Sequence, residues 1–162
     1  MVVFREAGRE DLELLVDLLA DDPLGRLREE PSRPLPPAYL TAFDALTDDP
    51  NHLLLLAEEK DGIVGMLQVS YLPGLSHRGS WRAQIESVRV SGLARGRGIG
   101  RALIAEAIAT ARSRDCRLVQ LTSDKRRPEA LRFYRSMGFV ESHEGLKLDL
   151  VSTPEVTHGS TR

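Results

Sequence analysis

The sequence predicts a mixed α/β fold of the α+β kind, one central sheet with helices laid against it. Three observations point there. Seven segments read as strands, at 2–4, 52–59, 63–71, 81–90, 117–122, 139–140 and 146–150, and they come in runs rather than alternating one for one with helices. Four segments, at 10–20, 36–46, 99–112 and 128–137, read as helices from apolar spacing and end signals. The chain has 162 residues, room for one domain that can bury a full core without staples.

Each element has its own reason. Val2, Val3 and Phe4 make a short first strand. Leu12, Leu15, Val16 and Leu19 recur at i, i+3, i+4 and i+7, the face of an amphipathic helix, and Glu10 and Asp11 suit its positive end. Residues 21–37 hold five prolines and one glycine, so they form a loop or a broken helix. Pro36 and Pro37 fit a helix start, Tyr39, Leu40, Phe43 and Leu46 give its apolar face, and Asp49-Pro50-Asn51 stops it. The apolar runs 52–59 and 63–71 flank an Asp61-Gly62 turn and predict a hairpin. Residues 73–79 are a loop, and 81–90 a long strand containing Ile85, Val88 and Val90. Ile99, Leu103, Ala107 and Ala111 stripe the next helix. Pro128 opens the last helix and Gly138 closes it. Residues 151–162 are polar and read as a flexible tail.

Composition narrows the function. Hydrophobic residues are 41% and charged residues 28%, as expected of a soluble globular chain. No apolar run approaches the roughly 18 residues of a membrane span, and Met1-Val2-Val3-Phe4-Arg5-Glu6 does not open a secretory signal. The lone Cys116 excludes an internal disulfide or a thiolate metal cluster within one chain. These readings give a cytoplasmic chain with no membrane partner and no metal. Charge is uneven beneath a net of −2: residues 1–62 carry 15 acidic and 6 basic residues, a balance of −9, and residues 89–135 carry 4 acidic and 12 basic, a balance of +8. The basic stretch can recruit an anion. It lacks the interleaved aromatics of a base-stacking groove, and the pI is near 6.1, so nucleic acid is not expected.

The chemistry concentrates at one place. The strand ending Val88-Arg89-Val90 runs through Arg95-Gly96-Arg97-Gly98-Ile99-Gly100-Arg101 into a helix. Glycines let the backbone approach a ligand, and the unpaired N–H groups of a helix start sit at its positive end, a cradle for a pyrophosphate. The spacing excludes a Walker A loop, since no Lys-Ser/Thr pair follows Gly100. It also excludes the Gly-x-Gly-x-x-Gly dinucleotide fingerprint, because Arg101 or Leu103 stands where the third glycine belongs.

Arg95-Gly96-Arg97-Gly98-Ile99-Gly100 resembles the Arg/Gln-x-x-Gly-x-Gly/Ala acetyl-CoA signature of the GNAT superfamily of N-acetyltransferases. Ala130-Leu131-Arg132-Phe133-Tyr134-Arg135-Ser136-Met137-Gly138-Phe139 resembles the family's Ala-x-x-Phe-Tyr-x-x-x-Gly-Phe segment. The similarity spans about 4–150, so 1–150 is expected to be a single N-acetyltransferase domain. One departure is Arg127, which stands where many members carry an Asn that touches the coenzyme; Arg127 would replace that contact by charge.

The resemblance implies a mostly antiparallel sheet of six to seven strands with helices on both faces. Two parallel strands, here 81–90 and 117–122, would splay to admit acetyl-CoA. The backbone of Val88, Arg89 and Val90 would pair with the pantetheine arm, an N–H near Val88 would polarise the thioester carbonyl, and the stretch Gly96, Arg97, Gly98, Ile99, Gly100, Arg101 would hold the pyrophosphate, with side-chain charge from Arg95, Arg97 and Arg101. The reaction implied is direct attack of a primary amine on the thioester in a ternary complex. An alkyl amine has a pKa of about 10.4, so freeing its lone pair at pH 7 costs ~4.6 kcal/mol and calls for a base.

Glu86 is the base candidate, acting directly or through water. It is the only acidic residue between Gly62 and Gly100. Strand alternation places it on the face of Val88 and Val90. Ile85-Glu86-Ser87-Val88 also resembles spermidine/spermine acetyltransferases, which are acidic at this position. The competing reading is a strand carboxylate paired with Arg82 or Arg89. Tyr134 is the acid candidate, because the family places this hydroxyl near the coenzyme sulfur; unaided, Phe133-Tyr134 would read as core.

Ser142-His143 after Phe139 is similar to a feature of aminoalkylphosphonate acetyltransferases, as is 81–86, so His143 is either a substrate or metal contact or a surface histidine. Cys116 has no His or Asp pattern that would make it a nucleophile, and His52, His77 and His158 lack ligand spacing. The acceptor is a small-molecule or peptide amine, expected against 21–50 and 73–79, where the acidic N-terminal third favours a cationic one. The family commonly forms homodimers, so a homodimer is implied. The other class of reading is a non-catalytic coenzyme A-binding sensor of the same fold.

Overall fold

The computed structural model describes residues 1–151. Beyond Val151, the expected tail lies outside the described residues. In chain order the elements are β1 (Val3–Glu6), α1 (Leu12–Ala20), α2 (Pro37–Thr47), β2 (His52–Glu59), β3 (Gly62–Pro73), α3 (Ser76–Gly79), β4 (Trp81–Val90), α4 (Ile99–Ser113), β5 (Leu118–Leu121) and α5 (Pro128–Ser136). Single 3-10 turns stand at 9–11, 25–27 and 92–94. The helix α3 is one turn only, with His77 and Arg78 at φ 52° and 62°.

The strands lie in spatial order β1-β2-β3-β4-β5. The first four are antiparallel neighbours: α1 and α2 lie in the connection from β1 to β2, while a tight turn joins β2 to β3 and a short loop joins β3 to β4; β5 joins β4 in parallel, because α4 carries the chain back across the sheet. The β2–β3 hairpin closes where Glu59 pairs with Gly62, whose φ of +123° suits glycine.

Strand alternation divides the core in two. On one face Leu55, Leu67, Val69 and Ile85 pack on Ile99, Leu103, Ile104 and Ala107 of α4. On the other, Leu56 and Met66 pack on Leu15 and Leu18 of α1 and Phe43 of α2. Helices therefore cover both faces, and each buried Leu or Ile contributes roughly 1.5–3 kcal/mol.

The expected six to seven strands are corrected to five among the described residues. Residues 139–140 are used differently. Gly138 turns left-handed at φ +92°, and the Phe139 N–H donates to the Tyr134 carbonyl, so this stretch closes α5. Leu146, Leu148 and Leu150 do alternate, but they stand 94%, 83% and 88% exposed, with no strand or helix among the described residues covering them. Alternation alone does not make a strand; a paired edge and apolar cover must meet it.

Candidate active site

The site begins where two strands part. β4 and β5 pair from Arg82 with Leu118 to Ile85 with Leu121, and there β5 ends while β4 runs on to Val90. A cavity of about 500 Å³ opens beyond that point. Val88 and Val90 form one wall, Arg95, Gly96, Gly98, Ile99, Gly100 and Arg101 form the floor, and Tyr134 closes the far side. Ala94, Ala130 and Phe133 complete the lining. The sequence did not mark these three as site residues, although the Ala-x-x-Phe-Tyr spacing held the signal for two of them.

The floor is shaped by backbone. Gly96 and Gly98 adopt φ +76° and +82°, left-handed values that strain other residues. No side chain caps α4, and its hydrogen-bond ladder starts with Ala102 donating to the Gly98 carbonyl. The N–H groups of Ile99, Gly100 and Arg101 precede that ladder, which suits a pyrophosphate. Arg101 donates to Ser136 Oγ at 2.8 Å and ties α4 to α5. Arg95 donates to the Val90 and Asp21 carbonyls.

Two predicted arginines are not in the lining. Arg97 turns out to Glu59, reaching both carboxylate oxygens at 2.8 Å. Arg89 turns inward: its Nη1 donates to the Val88 carbonyl at 2.9 Å and its Nε lies 3.1 Å from Asp22.

The position of Glu86 needs a correction. Ser87 sits at φ +53°, and the β3–β4 register slips there: Gln68 faces Glu86, whereas Met66 faces Arg89. The bulge resets the alternation. Glu86 therefore shares a face with Arg89, on the α1/α2 side of the sheet, while Val88 and Val90 pack with the α4 core. Glu86 is exposed, and among the described residues neither Arg82 nor Arg89 pairs with it.

Tyr134 is held by edge-on rings, Phe133 at 5.2 Å and Phe139 at 5.9 Å between centroids. Burial raises its pKa above the usual tyrosine value, against the opposing charges of Arg89 and Arg127. Among the described residues its hydroxyl has no hydrogen-bond partner. Cys116 is half-buried, and burial raises its thiol pKa, the reverse of what activates a nucleophile. His143 is exposed, with its Nδ1 2.8 Å from the Ser142 hydroxyl.

Sequence reasoning missed Asp22. Its Oδ1 accepts the N–H groups of Leu24 and Gly25 and an Nη2 donor of Arg127. Its Oδ2 lies 3.1 Å from Arg89 Nε outside hydrogen-bond geometry, so neither atom has a hydrogen bond. Burial pushes the Asp22 pKa up, but the Gly25 and Leu24 N–H groups and the two guanidinium charges outweigh it and hold the carboxyl below its usual range. Asp22 lies inside a Pro-rich loop, where nothing in the sequence marks a buried carboxylate.

A profile of the acetyltransferase (GNAT) family matches residues 13–139. The chain is 32% identical over 106 residues to the aminoalkylphosphonate N-acetyltransferase of Salmonella typhimurium, covering 65% of this chain and 68% of that one. A crystal structure of a transcriptional regulator from Bacillus halodurans C-125 superposes with a TM-score of 0.90 at 52% identity, over 92% of this chain and 99% of that one. An acetyltransferase from Trypanosoma brucei superposes with a TM-score of 0.76 at 27% identity, over 93% and 100%. The profile match covers more than half of the chain, and the parted strands, glycine turn and Tyr134 wall stand within it or at its edge: this chain belongs to the acetyltransferase (GNAT) family and is an acyltransferase of the N-acetyltransferase kind.

Proposed function

We propose that the protein transfers acetyl from acetyl-CoA to a primary amine by direct attack in a ternary complex, with residues 1–150 as one catalytic domain. The observation that carries this is the cavity at the parting of β4 and β5, floored by the uncapped start of α4 and walled by Tyr134. In this reading the N–H groups at Gly98, Ile99, Gly100 and Arg101 hold the pyrophosphate, and the free edge of Val88 and Val90 pairs with the pantetheine arm. Arg95 and Arg101 add charge at the same floor. Arg89 and Arg97 have other partners and contribute through backbone alone.

The corrected place of Glu86 suits a base. An amine approaching from the α1/α2 face meets this unpaired carboxylate, directly or through one water, while the thioester comes from the cavity. The amine nitrogen attacks the carbonyl carbon, its proton passes to Glu86, the C–S bond breaks, and Tyr134 protonates the leaving thiolate. The Salmonella relative, by its name, acetylates an aminoalkylphosphonate, which supports a small-molecule acceptor over a peptide.

The test is release of the coenzyme thiol across an amine panel, with Tyr134→Phe beside wild type. Turnover with one amine class, falling about 100-fold or more in Tyr134→Phe, is expected of a lost general acid. A second reading, a coenzyme A-binding sensor without turnover, is favoured by the Bacillus halodurans structure being that of a transcriptional regulator. Coenzyme binding with no thiol release from any amine would select it.

A further inference from the structure

The loop after α1 reaches across the sheet and fixes two arginines beside the reacting centre. Asp22 is the hinge of that cluster, with a side chain 9% exposed; Arg89 and Arg127 are 16% and 25% exposed. Two guanidinium groups share one carboxylate, so the cluster carries one positive charge beyond what Asp22 neutralises. Arg28 and Glu29 also act on Arg89, with opposite signs. A half-buried surplus cation is costly without a counter-charge. Donors are also left over: among the described residues, Arg89 Nη2 and Arg127 Nε and Nη1 make no hydrogen bond.

The place of the surplus decides its use. Arg89 shares the acceptor face with Glu86 and bonds the carbonyl of Val88, which lines the cavity. Both guanidinium charges act on Tyr134. Part of the acidic N-terminal third is taken up in ion pairs. Asp11 and Glu58 hold Arg5, Asp44 holds Arg9, Glu13 and Asp17 hold Arg33, and Asp21 pairs with Arg95. Glu29 and Glu30, in the loop after α1, form no ion pair among the described residues, so that loop also keeps carboxylates that a cationic acceptor could meet.

We propose that Arg89 and Arg127, held by Asp22 on the acceptor side of β4, seat an oxyanion of the acceptor, so that the substrate is a small primary amine carrying a phosphonate, phosphate or carboxylate. This rests on the acetyl-transfer reading above. The guanidinium fork matches such a group with paired hydrogen bonds, and a short alkyl spacer then leaves the amine free to reach Glu86 and the thioester.

The test compares 3-aminopropylphosphonate with propylamine, equal in chain length, as acceptors for wild type, Arg127→Gln and Arg127→Lys. Wild type is expected to prefer the phosphonate by about tenfold or more in kcat/KM, the scale of one charge-assisted pair. Arg127→Gln is expected to abolish the preference, and Arg127→Lys to keep part of it. Propylphosphonate, which has no amine, is expected to compete with the amine in wild type and not in Arg127→Gln. Equal use of both amines by wild type would overturn the proposal. So would an Arg127→Gln loss that is the same for both amines or falls on the KM for acetyl-CoA, since the arginine would then serve the coenzyme.

The two readings fail differently. Silence with every amine, while calorimetry shows propylphosphonate binding that Arg127→Gln removes, overturns acetyl transfer to these acceptors and keeps the seat. Silence with no phosphonate binding overturns both. Should Arg127→Gln fail to fold, the wild-type preference and Arg127→Lys still decide.

Discussion

At the residue scale, two side chains show how a neighbour sets a function. Tyr134 is buried enough that its pKa rises, so it stays protonated and able to donate through neutral pH. The rate with a good acceptor should therefore hold through the pH at which a free tyrosine titrates, about 10, and fall only above it. That alkaline limb should vanish in Tyr134→Phe, leaving a low, flat profile. Asp11 is structural. It lies under the turn before α1, accepts two N–H groups of Arg5 at 2.6 and 2.9 Å, and also takes the Gly8 N–H. The hydrogen bond from Arg5 is the main reason its carboxyl titrates below the usual range; burial opposes it. A depressed folded value stabilises the fold above the unfolded pKa, near 3.9, and that stability is lost as pH falls below it. Asp11→Asn should cost about 2 kcal/mol at pH 7 in a denaturant titration. The gap from wild type should close as the pH is taken down from 4.

At the element scale, the start of α4 separates two uses of glycine. Gly98 is at φ +82° with open space where a Cβ would go, so the demand is conformational. Gly98→Ala should cost roughly 1–2 kcal/mol of stability, the left-handed penalty of an L residue. Gly100 lies inside the helix, and a Cβ there would meet Val90 Cγ2 at 3.6 Å and Phe133 Cζ at 3.7 Å, an ordinary contact. Gly100→Ala should leave the melting temperature unchanged or raise it. It should still weaken acetyl-CoA at least tenfold, because the methyl group points between two walls of the cavity. Equal losses of stability in both variants would show that the glycines serve folding alone. The bulge in β4 belongs to this scale too. One left-handed residue, Ser87, moves Glu86 from the face predicted by period-2 alternation to the α1/α2 face.

At the scale of the whole molecule, the unburied apolar surface after α5 stands out. Leu146, Leu148 and Leu150 are exposed at alternate positions, and among the described residues the last strand pairs on one side only. Exposed apolar side chains grouped in this way can mark an interaction surface. We propose that it is the seat of a homodimer. Light scattering should show a dimer in wild type and a monomer in Leu148→Lys. A monomeric wild type at assay concentration, or a dimeric variant, would rule the surface out. The same view explains the polarised charge. Eight of the fifteen carboxylates in 1–62 pair with arginines, some as distant in sequence as Arg95 and Arg97, so charge balance along the chain does not by itself report charge at the site.

Much was legible in the sequence because it depends on near neighbours. The hairpin at Asp61-Gly62, the stripe of α4 and the glycine turn before it are local patterns, and each element formed where its period and end signals placed it. The two motifs held Gly98, Gly100 and Tyr134, the strand before the first held Val88 and Val90, and the fold brings all five around one cavity. Three things waited for the tertiary structure. The face taken by Glu86 depended on a single residue's φ angle. The strands expected at 139–140 and 146–150 depended on a partner edge that this chain does not bring to them. The Asp22–Arg89–Arg127 cluster joins residues as much as 105 positions apart across the end of the sheet. Periodicity records which side chains one element must bury; it holds no record of which distant charges will meet.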